Sequence, residues 1–131
     1  LYLNLELGTK ATYSTIVDSN NTAKAMGSGS LEVFATPSMV AIMEKASTIA
    51  LEPYLESGST TVGTNMNVAH TSATPVGMKV TAEATVTNVN GREITFDVKA
   101  FDEVGLIGEG THKRFIVYAE KFQSKANAKL K

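Results

Sequence analysis

The spacing of apolar residues along this chain changes period once and then changes back. Residues 9–17, TKATYSTIV, are rich in β-branched side chains and predict a strand. The next stretch, DSNNTAKAMGSGS at 18–30, is small, polar and glycine-bearing with no sustained apolar period, and predicts a mobile, lid-like connection. From residue 36 the period becomes helical. Met39, Met43, Ala46 and Ala50 fall on one side, Val40, Ser47 and Leu51 on the next, and Lys45 with Glu52 on a narrow polar edge. Thr36 suits the N-cap and Pro37 the first helical position, so a helix is expected from 36 to about Leu55, where ESGST stops it. Period two then returns at 60–72, 78–89, 92–103 and 106–118, with Asn90-Gly91 as a two-residue hairpin signal.

One strand, one long helix and an antiparallel meander of long strands admit few folds. A helix that is apolar around most of its circumference must be wrapped by the sheet. The expectation is an α+β hotdog fold, with one long central helix in a curved antiparallel sheet of about five strands. It forms a single domain over 1–131, with the lid-like connection at 18–30 and a basic C-terminal tail at 120–131. Gly108 and Gly110 share a strand face; they either let that strand pass close to the helix or mark a bulge.

Composition narrows the function classes. Twelve Lys and Arg against thirteen Asp and Glu leave no global charge to attract nucleic acid or an anionic membrane. There is no cysteine, which removes disulfides, thiolate zinc sites and a thiol nucleophile. No stretch approaches the roughly 20 apolar residues of a membrane span, and LYLNLELGTK lacks the basic start and apolar run of a signal peptide, so a cytoplasmic location is expected.

Within this bland frame Glu44 stands out, a carboxylate among valine, isoleucine and methionine in FATPSMVAIMEKAS. Strict alternation in 60–72 puts Val62, Thr64, Met66, Val68 and His70 on one face and Gly63, Asn65, Asn67 and Ala69 on the other. Thr36 and Glu44 lie about 12 Å apart along one helix, and an imidazole with a hydrogen bond at each nitrogen spans that gap. Thr36, His70 and Glu44 thus suit a hydroxyl, a base and an orienter. Each also has a plain reading, Thr36 as an N-cap and His70 and Glu44 as hydrogen-bonded core residues. His112, beside Lys113 and Arg114, reads as solvated rather than catalytic. No metal-ligand spacing or phosphate-binding loop is present, so no metal or cofactor is expected. Lys121, Lys125 and Lys129 would form one basic stripe if helical, most simply a solubilising one.

The segments ATPSMVAIMEKAS, GTNMNVAHTSATPVG and GEGTHKRFIV resemble the hotdog-fold acyl-CoA thioesterases of the fluoroacetyl-CoA thioesterase type, over about residue 31 to the end. The resemblance implies a Thr, Glu and His triad at Thr36, Glu44 and His70, an active-site glycine at Gly63, and hydrolysis of a short acyl-CoA or related thioester. Lys79, Lys113, Arg114 and the C-terminal lysines are the candidates for holding the CoA phosphates. A non-catalytic acyl-CoA sensor needs the same pocket. An enoyl-CoA hydratase would need an Asp and His pair that the helix does not offer. A homodimer is expected, because one sheet around one helix leaves an edge strand uncovered.

Overall fold

The computed structural model describes residues 4–130. In chain order the elements are β1 (Lys10–Ile16), a one-turn helix α1 (Ala23–Met26), α2 (Thr36–Leu51), β2 (Ser59–His70), β3 (Lys79–Asn90), β4 (Glu93–Phe101), β5 (Leu106–Tyr118) and α3 (Ala119–Asn127). All five strands join one antiparallel sheet in the order β1-β3-β4-β5-β2.

The sheet curls because its concave face alternates small and branched residues under α2. Val80, Ala82, Ala84 and Val86 of β3 and Ile94, Phe96, Val98 and Ala100 of β4 are all buried. They close on Met39, Ile42, Met43, Ala46, Ala50 and Leu51 of α2, which packs chiefly against β1 and β3. The alanines let the helix axis approach the sheet, and the bulky residues fill what remains. This is the expected hotdog architecture. No helix among the described residues is long and apolar enough to cross a membrane.

Three boundaries differ from the sequence expectation. The helix stops at Leu51 and tightens into a 3₁₀ turn at Glu52–Tyr54, because Pro53 has no N–H to continue the ladder. The hairpin loop is Gly91 and Arg92, since Asn90 still pairs with Glu93; the left-handed φ of 62° falls on Gly91. The 18–30 connection is not featureless. The Thr22 hydroxyl accepts from the Ala25 N–H at 3.2 Å, Gly27 closes the turn in the left-handed region, and Thr22 bridges to Phe34.

The fourth difference bears on function. The β2 and β5 register slips between Gly63 and Asn65, which leaves Thr64 as the extra residue of a bulge. Strict alternation placed Gly63 on the face opposite His70. The bulge reverses this, so Gly63, paired with Arg114, and His70, paired with Gly108, both face the helix. Among the described residues β2 pairs only with β5, and its outer edge has no strand partner.

Candidate active site

At the N-terminal end of α2 the chain arrives extended through Ala35, which is the N-cap and makes no side-chain cap bond. Thr36 is therefore the first helical residue rather than the cap. Its hydroxyl is free for another partner and lies 2.8 Å from His70 Nδ1. Gly108 makes this meeting possible. A Cβ there would stand 2.6 Å from Met39 Sδ and 2.8 Å from the Ala69 carbonyl, so the glycine lets the first turn of α2 settle over the end of β2. Gly110 serves the strand instead, since its missing side chain would collide with the β2 backbone at Asn67 and Val68.

The loop after His70 is tied on both sides. The Thr71 N–H donates to the Ile107 carbonyl at 2.7 Å, and the Phe34 N–H donates to the Thr74 carbonyl at 2.8 Å. Between this loop, Phe34 and α1 lies an open cleft of about 270 Å³, with Thr36 and His70 in its wall. Burial lowers the His70 pKa below its ordinary value of 6.5, and the Ser72 backbone pulls only partly the other way. Burial thus favours the neutral ring, and in the tautomer that carries its proton on Nε2 the Nδ1 accepts from the Thr36 hydroxyl. That Nε2 is buried and meets no acceptor in hydrogen-bond geometry among the described residues.

Glu44 does not supply that acceptor within its own chain. Two turns along α2 from Thr36, its Oε2 lies 3.2 Å from Arg114 Nη1. Arg114 also donates from Nε to the Thr61 hydroxyl at 2.8 Å and from Nη2 to the Thr61 carbonyl at 3.1 Å. His112 completes the cluster, with Nδ1 2.7 Å from the Asn65 carbonyl and Nε2 3.2 Å from Arg114 Nη1. A carbonyl only accepts, so His112 carries its proton on Nδ1 and is neutral. Burial is the main reason its pKa falls, and the Arg114 charge adds to it. Its ring stacks on Phe96 at 6.1 Å.

The candidates are therefore divided. Thr36 and His70 meet. Glu44 and Gly63 stand together elsewhere, since a Cβ on Gly63 would be 2.6 Å from Glu44 Oε2 and 3.3 Å from Arg114 Nη1. His112 is not solvated and Arg114 is not a surface phosphate ligand: both are buried, at 1% and 6% exposure. The signal was present, for they lie four and two residues before Ile116 and so share its core-facing side. Thr61, which holds Arg114 through two bonds, was missed because nothing in TTVGT marks it. Lys79 and Lys113 lie outside the helix-facing set, on β3 and β5 with β4 between them; Lys113 sits 3.9 Å from Glu93. They form no common patch.

Comparison with known proteins bears on the family and the fold. Residues 17–120 match the family of fluoroacetyl-CoA-specific thioesterases. The chain is 47% identical over 98 residues to the fluoroacetyl-CoA thioesterase of Streptantibioticus cattleyicolor, covering 75% of this chain and 70% of that one. A solved fluoroacetyl-CoA thioesterase superposes with a TM-score of 0.91 at 38% identity, over 96% of this chain and 98% of that one. A variant solved in complex with fluoroacetate and CoA gives 0.86 at 39% identity, over 90% and 99%. A hot-dog-like protein from Thermanaerovibrio acidaminovorans shares the fold, with a TM-score of 0.87 at 23% identity over 97% and 94%.

Proposed function

Because this chain belongs to the fluoroacetyl-CoA-specific thioesterase family and is a thioester hydrolase, we propose that it cleaves a short acyl-CoA at the Thr36 and His70 pair, with Glu44 and Gly63 supplied by a second copy. The observation that carries the reading is the 2.8 Å contact between the Thr36 hydroxyl and a His70 held neutral, in the wall of a cleft sized for a small acyl group. A neutral Nδ1 is a base in reach of the proton it must take. His70 withdraws that proton, and the Thr36 oxygen, or a water against it, attacks the thioester carbon. The carbonyl becomes an oxyanion, the C–S bond breaks, and the His70 imidazolium returns the proton to the departing CoA thiolate. If Thr36 is acylated, water repeats the cycle on the ester. Backbone N–H groups near Gly63 or at the start of α2 are the donors available to the oxyanion.

A buried imidazolium formed in this way needs an anion at Nε2. Identical edge strands related by a two-fold pair antiparallel. A two-fold set at Asn67 would lay the bulged stretch at Gly63 and Thr64 against the His70 position of the second copy. The bulge is what brings Gly63 to the correct face. Glu44, beside Gly63, then stands across the seam from the unpartnered Nε2. Fluoroacetyl-CoA, for which the relatives are named, or acetyl-CoA, which a variant of one of them was solved with, is the substrate to try first.

Subunit mixing tests this assignment. His70→Ala and Glu44→Gln proteins, each impaired, should exceed the mean of their separate activities when unfolded and refolded together, because the mixed dimer holds one intact site. If Glu44 served its own protomer, no combination would contain an intact site and mixing would restore nothing. A folded His70→Ala homodimer with normal turnover would overturn the base itself.

A further inference from the structure

The tail helix α3 was the plainest part of the sequence, yet it builds a second cleft. Lys121, Phe122 and Lys125 lie within about 100° of one another around the helix, and Glu120 is turned roughly 150° away from their centre. Together with Arg92, Val117 and Tyr118 they line a depression of about 270 Å³. Its cations and its aromatic rings are arranged together rather than scattered. Arg92 is held over the Tyr118 ring, with Cζ 5.5 Å from the centroid, while Tyr118 and Phe122 remain 45% and 46% exposed. Among the described residues no carboxylate stands within ion-pair distance of Arg92, Lys121 or Lys125. Three cations with no ion-pair partner among the described residues, beside open aromatic faces, suit a ligand that carries several phosphates and a flat base.

We infer that this cleft receives the nucleotide end of CoA, with the phosphates on Arg92, Lys121 and Lys125 and the adenine against Phe122. The inference rests on the thioesterase reading and on the paired β2 edges. In a single chain the cleft adjoins the far end of β5 from Gly108, which faces His70, too distant for one CoA to join them. The dimer closes the gap. Tyr118 pairs with Ser59, and Ser59 lies four residues along β2 from Gly63, the position that the proposed pairing sets against His70 of the second copy. Four extended residues span roughly 13 Å, and the pantetheine arm has about as many chain atoms between sulfur and phosphorus as those four residues have in their backbone. The thioester carbon can therefore sit at Thr36 and His70 of one copy while the phosphates rest on α3 of the other. Of the cations the sequence offered for the phosphates, this keeps Lys121 and Lys125 among the C-terminal lysines and leaves out Lys79, Lys113 and Arg114.

The test compares acetyl-CoA with the same acyl group on N-acetylcysteamine, which lacks the nucleotide, and measures 3′,5′-ADP binding by calorimetry. In the Lys121→Glu, Lys125→Glu double variant the KM for acetyl-CoA should rise roughly tenfold or more at low salt, with kcat kept and the truncated thioester unaffected. Binding of 3′,5′-ADP should weaken by a similar factor, and Phe122→Ala should weaken it about threefold. Unchanged 3′,5′-ADP binding, or an equal change in KM for both thioesters, overturns the inference. Failure of the thioesterase reading looks different, because the wild-type protein would then turn over neither thioester. The calorimetry judges the cleft whatever the turnover.

Discussion

The two ends of the functional stretch of α2 are built on opposite principles. At the first turn, Thr36 and His70 make one hydrogen bond in the wall of an open cleft and leave a buried Nε2 unused. Two turns on, Glu44 belongs to a cluster in which Arg114 engages four groups, two of them on Thr61. The first end has bonding capacity to spare and no charge, while the second has charge and little capacity to spare. Chemistry needs the first condition, since a base already saturated cannot take another proton. Precise placement of a carboxylate needs the second. One protomer thus carries complementary halves, which the proposed two-fold through β2 would bring together.

The largest effect should come from breaking the sparse end. His70→Ala is expected to lower kcat by at least about 10²-fold, with little change in melting temperature, because the ring makes a single side-chain bond. Thr36→Ala should fall in the same range, and Thr36→Ser should retain more activity by keeping the hydroxyl. If both histidine and threonine variants instead melt early and turn over normally, the sparse end is structural and the contrast collapses.

Glu44→Gln tests the crowded end. Turnover should drop about tenfold, and stability should fall by about 1 kcal/mol, discounted because the Glu44 side chain is 42% exposed while that of Arg114 is 7% exposed. Combining it with His70→Ala should cost little beyond His70→Ala alone, since residues acting as a unit are not additive. Additive losses would separate Glu44 from the histidine.

A smaller perturbation is Gly63→Ala. The added methyl would lie 2.6 Å from Glu44 Oε2, a movable side-chain end, so the fold should hold while the carboxylate shifts. Turnover a few-fold lower with an unchanged melting temperature is expected; a large stability loss would mean that the glycine serves the bulge and not the site.

The mildest lever is acid. Both His70 and His112 have pKa values lowered by burial from 6.5, so the unfolded chain takes up protons first as the pH falls. Their contribution to stability is complete above pH 6.5 and is lost as the pH drops through their folded values. In the assembled enzyme the proposed Glu44 carboxylate at Nε2 opposes the effect of burial on His70, so Glu44→Gln should move the acid limb of kcat/KM to lower pH. An acid limb that stays in place in Glu44→Gln would separate the carboxylate from the histidine.

Much of this was legible from local pattern. The period change that separates strand, helix and meander follows from which side chains must face a core, and that requirement acts residue by residue, so the hotdog fold could be read directly. The Thr36 and His70 pair was also legible, because one lies at a helix start and the other on an apolar strand face. What the pattern could not decide depends on neighbours distant in sequence. Alternation assumes one residue opposite one residue, and the extra Thr64 against β5 breaks that assumption and turns Gly63 inward. Arg114 was read as a surface cation because charge implies solvent, until Thr61 and Glu44, 53 and 70 residues away, supplied bonds that replace water. Sequence by itself determined the elements, the wrapped helix and the chemical types in the site. Only the tertiary structure decided which of those groups meet, because a hydrogen bond is set by distance across the sheet and that distance is fixed by register, bulge and glycine gaps together.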